Sequence, residues 1–496
     1  MELRALLTEL DAPSVVGDAG CHIRGLAYDS RAVEPGFLFA ALRGRAHDGH
    51  AFIDEAAGRG AVAVLVDRPT AAPPGVAVVR VADTRRALGQ VAAALAAHPS
   101  RHLTVIGVTG TNGKGATTYL IEAILRAAGH PCGIIGTMGV VIGGEVTPSA
   151  RTTPEAPELQ RALTTMVARG QAAVAVEVAS HALALERVAG TRFRIGVFTN
   201  LTRDHLDFHQ SMEAYRAAKA RLFAGLPAEG WAVLNADDPA AALMRRVTRA
   251  RVVTYGVHAA ADVRGRDIRL RLDGTEFIAE TPAGTTPIRL RLAGGFNVWN
   301  ALAAVAVGLA QGVPLTTIAG ALEAMRGVPG RFERVEEGQP FAVIVDYAHT
   351  PDGLENVLRS AREVAAGRLI AVFGCGGDRD RPKRPLMGRI AGEWADVVIV
   401  TSDNPRSEPP QAIIAEIRPG VEAAAAARAA AGRPVRVIYE PDRRRAIAAA
   451  VGEAGPGDLV LIAGKGHETY QEIAGVRHPF DDREVVRDVL RAPARP

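Results

Sequence analysis

Lysine is nearly absent from this chain. Only Lys114, Lys219, Lys383 and Lys465 occur among 58 Lys and Arg positions. Where a solvated positive charge suffices, the sequence uses arginine. A surviving lysine therefore marks a candidate for what arginine cannot do: a compact ammonium on a phosphate, or an amine that can lose its proton. Compositional bias with four chance survivors is the competing reading, and the glycine-rich surroundings of Lys114 argue against it there. Cysteine is equally scarce. Cys21, Cys132 and Cys375 are odd in number and widely spaced, which excludes a disulfide framework and a cysteine-based zinc site and fits a reducing cytoplasm. Aromatics make up 5% of the residues and no polybasic run interleaves with them, so nucleic acid is not an expected partner. The run Arg443-Arg444-Arg445 reads as a solvated helix start. No apolar stretch reaches the ~18 residues of a membrane span. Glu2, Arg4, Glu9 and Asp11 rule out a signal peptide at the N-terminus, and the expected location is cytoplasmic.

What is present suits large cores. The chain is 48% apolar and 23% charged over 496 residues, enough for about three domains. Short β-rich runs alternate with Ala/Leu/Arg helical stretches, which predicts an α/β fold with mainly parallel sheets. Breaks at His98-Pro99-Ser100 and Gly327-Val328-Pro329-Gly330 divide it into residues 1–98, 99–327 and 328–496. The predicted strands end in polar residues. Leu103–Val108 runs into Gly110-Thr111-Asn112-Gly113-Lys114, Ala173–Val176 into Glu177, and Phe193–Phe198 into Thr199-Asn200 and then Asp204-His205. In the last third, Phe341–Val345 ends at Asp346, Val397–Val400 at Asp403-Asn404-Pro405-Arg406, and Asp458–Ile462 at Gly464-Lys465-Gly466-His467-Glu468. Ligands of open α/β sheets bind beyond such carboxyl ends, so a site between two domains would use both sets.

The segment Gly110–Lys114 predicts a phosphate cradle between a strand and a helix over 115–128. Backbone N–H groups and the helix N-terminus face the anion, and Lys114 reaches the phosphates. Gly115 follows Lys114 where a P-loop has Ser or Thr, leaving Thr117 or Thr118 as substitutes. Glu177 beside a triphosphate suits Mg²⁺, which takes oxygen ligands and keeps waters. His205 and His209 have a zinc-like spacing but lack a third evident ligand. For Lys219, on its own residues, a structural ion pair is the favoured reading.

Several segments together resemble the Mur ligase family of ATP-dependent peptide synthetases, over nearly the whole chain. They are 110–114, Glu177-Val-x-Ser180-His181, Thr199-Asn200-Leu-x-Arg-Asp-His-Leu-Asp207, Asn235-Ala-Asp-Asp238, Gly294-x-Phe-Asn-x-x-Asn300, Gly330-Arg-Phe-Glu333 and Asp346-Tyr-Ala-His-x-Pro351. The resemblance implies a UDP-sugar-binding α/β domain, a central P-loop ATPase domain and a C-terminal Rossmann-like domain. It implies that ATP, with Mg²⁺, phosphorylates a carboxylate of the substrate and that an amino acid's amine attacks the acyl phosphate. By matching positions, Gly110, Thr111, Asn112, Gly113, Lys114, Gly115, Ala116, Asn297, Arg331, Asp346 and His349 are nucleotide residues. Glu177 and His205 are Mg²⁺ ligands, joined by Lys219 as a carbamate (N6-carboxylysine). Ser30, Thr152, Thr153, Ala179 and Arg187 are contacts to the UDP substrate. Arg379, Asp403, Asn404, Pro405, Arg406, Gly464 and Glu468 match an amino-acid pocket for meso-diaminopimelate, with Arg406 clamping the distal carboxylate and Glu468 the distal ammonium. The implied substrates are then UDP-N-acetylmuramoyl-L-alanyl-D-glutamate and meso-diaminopimelate, the protein acting as a monomer. The chain departs from the family pattern at Gly115-Ala116, Arg151, Ala179 and Leu185, and Gly-Lys-Gly is similar to folylpolyglutamate synthases. Competing expectations are a ligase for L-lysine, one for a folate-like donor, and a nucleotide-binding paralogue without catalysis.

Overall fold

The computed structural model describes residues 1–44, 47–71 and 73–492. Three sheets follow one another along the chain. The first has five strands between Ser14 and Arg80, four of them parallel. The second is an eleven-stranded sheet. At its centre the parallel strands Trp231–Asn235, Ile195–Phe198, Thr104–Thr109, Ala173–Glu177 and Cys132–Gly136 lie side by side. Antiparallel strands extend both edges. The third sheet runs, after a short antiparallel edge strand, through Ala342–Asp346, Leu459–Ala463, Leu369–Phe373, Val397–Val400 and Arg436–Tyr439, all parallel.

The strands at the centre of these sheets are apolar runs because helices cover both faces and leave no solvent side to be polar. Val105, Ile106, Val108, Val174, Val176, Ile195 and Val197 are all buried. Each such side chain contributes roughly 1.5–3 kcal/mol on burial. Polarity returns where the strand leaves the core, which is why the sequence changes character at Thr109, Glu177, Asp346 and Asp403. The first sheet's unit docks on the second through helix Thr84–Leu95, where a Cβ on Gly89 would collide with Ala189 and a Cβ on Gly190 with Gly89.

One expectation is corrected. Arg443 opens helix Arg443–Glu453 but is not solvated: it is 1% exposed, its side chain fully buried. Its Nε and Nη2 donate to Asp482 at 2.8 and 2.7 Å, and its Nη groups also reach the carbonyls of Ser402 and Ala463 at 3.2 and 3.1 Å. The guanidinium thus ties the ends of strands Val397–Val400 and Leu459–Ala463 together. Arg444 is exposed, as expected. No helix among the described residues is long and apolar enough to cross a membrane.

Candidate active site

Strand Thr104–Thr109 ends in a loop that feeds helix Lys114–Ala127. Gly113 takes φ +82°, and a Cβ there would strike Asn300. No side chain caps the helix, so its first N–H groups keep no capping partner, the arrangement that receives a phosphate. The loop's shape is fixed from a neighbouring strand end. Asn200 Oδ1 accepts from the Asn112 N–H at 2.9 Å, and the Thr199 hydroxyl donates to the Asn112 carbonyl at 2.6 Å. The Lys114 ammonium folds back on the carbonyls of Gly110 and Thr111 at 3.0 and 2.8 Å.

Lys219 converges on the same carbonyl. Helix Met212–Ala224 starts at Ser211, whose hydroxyl accepts from the Ala214 N–H. Tyr215 and Lys219, four apart, share one face of it. Lys219 is 1% exposed, donates to Gly110 O at 2.7 Å, and lies 4.5 Å from the centre of the Tyr215 ring. It makes no ion pair with a described residue, so the favoured reading from its own residues, a structural salt bridge, does not hold. Burial, and then the nearby Lys114 charge, hold its amine well below the ordinary lysine range.

Glu177 ends strand Ala173–Glu177 inside the same cleft. Its Oε1 accepts from the Thr137 N–H at 2.9 Å and its Oε2 from the Thr137 hydroxyl at 3.4 Å. It faces the helix start, since a Cβ on Gly115 would sit 3.3 Å from Oε1. His205 has φ +54° and is held by Asp204, whose Oδ1 accepts the His205 N–H at 2.8 Å and whose Oδ2 lies 3.2 Å from Nε2. A left-handed φ at a non-glycine residue costs on the order of 1–3 kcal/mol, and such residues cluster at active sites. Burial lowers its imidazole to about 4, leaving it neutral and able to ligate a metal. His181 packs edge-on against it at 4.7 Å.

The third sheet brings its own strand end to this cleft. Asp346 accepts from the N–H groups of Phe332 and Ala348, both at 2.7 Å. Arg331 stacks on Tyr347 at 4.7 Å and reaches towards Gly115. His349 sets its Nδ1 against Tyr347 O at 2.8 Å, and Lys383 donates to its carbonyl at 2.8 Å. Asp352, in the first turn of helix Pro351–Val364, bonds both Asn112 Nδ2 and the Thr202 hydroxyl, the latter at 3.0 Å. The phosphate loop is therefore roofed by the third sheet's unit.

A second cluster lies where two neighbouring strand-end turns of the third sheet meet. Asp403 is buried, and its Oδ1 has no hydrogen-bond partner among the described residues. A buried lone carboxylate oxygen is costly, and a substrate ammonium would satisfy it. Gly464 takes φ +120° and sits beside that carboxylate. Arg406, also left-handed at φ +53°, donates to Gly377 O at 2.7 Å and lies across Gly376. Arg379 is exposed beside it. Pro405 is buried in the turn.

Other expected contacts are placed as follows. Thr152 Oγ1 lies 3.1 Å from Thr137 Oγ1 at the cleft. Thr153 is buried and its hydroxyl is used internally, donating to Glu177 O and accepting from Ala179 N–H. Asn297 is likewise occupied by Ala293 and Asn300. Arg187 pairs with Glu155 at 2.9 Å. Ser30, in the first unit, donates to Glu55 at 3.0 Å. Residues that build the site but were not singled out individually are Thr137, Tyr215, Asp352 and Asn300. Asn300 sat within a recognised motif and Asp352 directly after one.

The sequence matches three family models: the Mur ligase family catalytic domain over residues 22–95, the Mur ligase middle domain over 108–308 and the Mur ligase glutamate ligase domain over 330–466. It is 46% identical to a UDP-N-acetylmuramoyl-L-alanyl-D-glutamate–2,6-diaminopimelate ligase of Geobacter metallireducens, across 99% of this chain and 98% of that one. The ligase of the same description from Geobacillus kaustophilus is 47% identical over 99% of both. A solved structure of a ligase so described superposes with a TM-score of 0.70 at 35% identity, covering 99% and 98% of the two chains. A folylpolyglutamate synthase from Mycobacterium tuberculosis bound to ADP and AMPPCP shares the fold over 77% of this chain, with a TM-score of 0.60 and 20% identity. With sequence likeness running from end to end, this chain belongs to the Mur ligase family.

Proposed function

We propose that this protein is an ATP-dependent ligase that adds meso-2,6-diaminopimelate to the D-glutamyl carboxylate of UDP-N-acetylmuramoyl-L-alanyl-D-glutamate, a step of peptidoglycan precursor synthesis. The observation that carries the reading is the meeting of strand ends from two sheets: a phosphate loop with two lysines on one carbonyl, roofed by a unit that also holds the Asp403–Arg406 turn. A carboxylate is a poor acyl donor, and transfer of the γ-phosphoryl group gives it a leaving group. The protein's part is then positioning and charge neutralisation. Lys114 and the helix N-terminus would hold the nucleotide phosphates, with Arg331 and His349 closing over them from the third sheet's unit.

Mg²⁺ fits the residues present. No three His, Cys, Asp or Glu among the described residues form a protein-only cage. A partial set suits an ion that keeps waters and phosphate oxygens. Glu177 and the neutral His205 would hold it, joined by Lys219, whose burial favours the free amine that carbamate formation requires. When bound, the ion would offset charge on the phosphates. Asp403 would take the incoming ammonium on its unpartnered oxygen, and Arg406 the distal carboxylate. Thr152 and Arg187 would line the donor's side of the cleft, and Ser30 would contact the UDP moiety from the first unit.

The test is a competition. Purified protein is given ATP, Mg²⁺, the UDP-muramoyl dipeptide and equimolar meso-diaminopimelate and L-lysine, and the product is weighed by mass spectrometry. The diaminopimelate adduct is expected. A lysine adduct would overturn the assignment of Arg406, and no adduct would overturn the ligase reading.

A further inference from the structure

Lys465 is one of four lysines in the chain and its side chain is 0% exposed. It lies in the turn after strand Leu459–Ala463, between the pocket residues Gly464 and Glu468, yet cannot itself meet a ligand from solvent. Its Nζ donates to Glu468 Oε2 at 2.9 Å and to Asn404 Oδ1 at 3.1 Å. Asn404 Nδ2 in turn donates to the same Glu468 oxygen at 2.8 Å. The three side chains close a triangle across two turns that belong to different strands. Asn404 Oδ1 also accepts from the Glu472 N–H at 3.0 Å, and the Glu472 carbonyl accepts from the Arg406 N–H at 3.0 Å. The chain of contacts therefore runs from Lys465 to both ends of the pocket. Asn404 Oδ1 thus has both acceptor positions in use, while Nδ2 commits one of its two N–H groups to Glu468. Glu468 has one oxygen fully used, while Oε1 receives no hydrogen bond from a described residue, and its side chain is 18% exposed.

We propose that Lys465 is a positioning residue for the amino-acid substrate: its buried ammonium, held by Glu468 and Asn404, locks the Gly464–Glu468 turn to the Asp403–Arg406 turn and leaves a single Glu468 oxygen to receive the ammonium at the substrate's distal end. This rests on the ligase reading above. A carboxylate with both oxygens loose would offer several geometries to a cation. With Oε2 pinned by two donors, only one remains, and its distance from Arg406 is fixed. The ammonium also offsets the Glu468 charge. The pocket then favours a distal centre carrying both a carboxylate and an ammonium over a lone ammonium. A methionine in place of Lys465 would keep the volume while unlocking the two turns.

The experiment uses the full chain with ATP, Mg²⁺ and the UDP-muramoyl dipeptide, and measures KM for each substrate in Lys465→Met, Glu468→Gln and the double variant. Wild-type turnover dependent on diaminopimelate is the control, and its absence would count against the ligase reading, not against Lys465. For Lys465→Met, KM for diaminopimelate should rise about tenfold or more, while those for ATP and the dipeptide stay within about twofold. Because Lys465 acts through Glu468, the double variant should be no worse than the poorer single one. Should Lys465→Met fail to fold, Asn404→Ala, which leaves the Lys465–Glu468 pair intact, should show the same selective rise to a smaller extent. An unchanged diaminopimelate KM, a parallel rise in all three, or additive losses in the double variant would overturn the proposal.

Discussion

Replacing Lys219 with methionine should leave the fold as stable as before, or more so, while abolishing turnover. The Lys219 amine is 1% exposed and has one hydrogen bond to a described residue, to Gly110 O. That carbonyl also accepts from Lys114 at 3.0 Å, so removing Lys219 strands no acceptor. The loss is one bond worth about 1 kcal/mol. Against it stands relief from burying an amine whose other N–H groups have no hydrogen-bond partner among the described residues, a burden of about 1–3 kcal/mol. The net expectation is a gain of about 0–2 kcal/mol, read as the urea midpoint of both proteins in CO₂-depleted buffer. Turnover should fall by about 10³ or more, a barrier increase of roughly 4 kcal/mol. Near-normal turnover would refute the catalytic role. A stability loss above about 3 kcal/mol would assign Lys219 to the core instead.

Arg443→Met strands the buried Asp482 carboxylate and should cost about 3–5 kcal/mol in denaturant unfolding, whereas the paired change Arg443→Met/Asp482→Leu should cost much less. Asp352→Ala cuts the contacts to Asn112 and Thr202 and should lower kcat several-fold with only a small shift in unfolding midpoint, measured by steady-state phosphate release. Arg406→Ala should raise KM for diaminopimelate by about 10²-fold, the scale of a lost charge-assisted bidentate contact, and leave L-lysine use unchanged. Burial holds the imidazoles of His181 and His209 down to about 4 and that of His467 to about 3. Below an unfolded value of about 6.5 the unfolded chain takes up protons that the folded one refuses. Stability should therefore drop between pH 6.5 and about 4, by roughly 1 kcal/mol per imidazole after solvent screening, as seen in urea midpoints at pH 7 and 5.

The parts of this site that were legible are those written locally. Gly110–Lys114 announces its turn through glycine spacing, and the parallel sheets show as apolar runs ending in polar residues. What escaped depends on partners far along the chain. Arg443 looks solvated in a run of three arginines, and only Asp482, 39 residues on, makes it a core residue. Asp352 lies 240 residues from Asn112, and no periodicity links them. Lys219 lies in sequence between Arg216 and Arg221 but in space against Gly110, 109 residues away, which is why its own segment suggested a structural ion pair. Thr153 carries the expected residue type, yet its hydroxyl serves the protein itself, bonding Glu177 O and Ala179 N–H. Hydrogen-bond saturation of that kind is a property of the packed structure and has no local signature.

The central claim is that the donor carboxylate is phosphorylated before the amide forms. The most direct test labels both oxygens of the D-glutamyl side-chain carboxylate of the UDP-muramoyl dipeptide with ¹⁸O and analyses the phosphate released in the presence of ATP, Mg²⁺ and meso-diaminopimelate. One ¹⁸O atom per phosphate is predicted, because the oxygen that attacks the γ-phosphorus leaves with it when the amine displaces the acyl phosphate. Phosphate without label, alongside normal amide formation, would contradict the account.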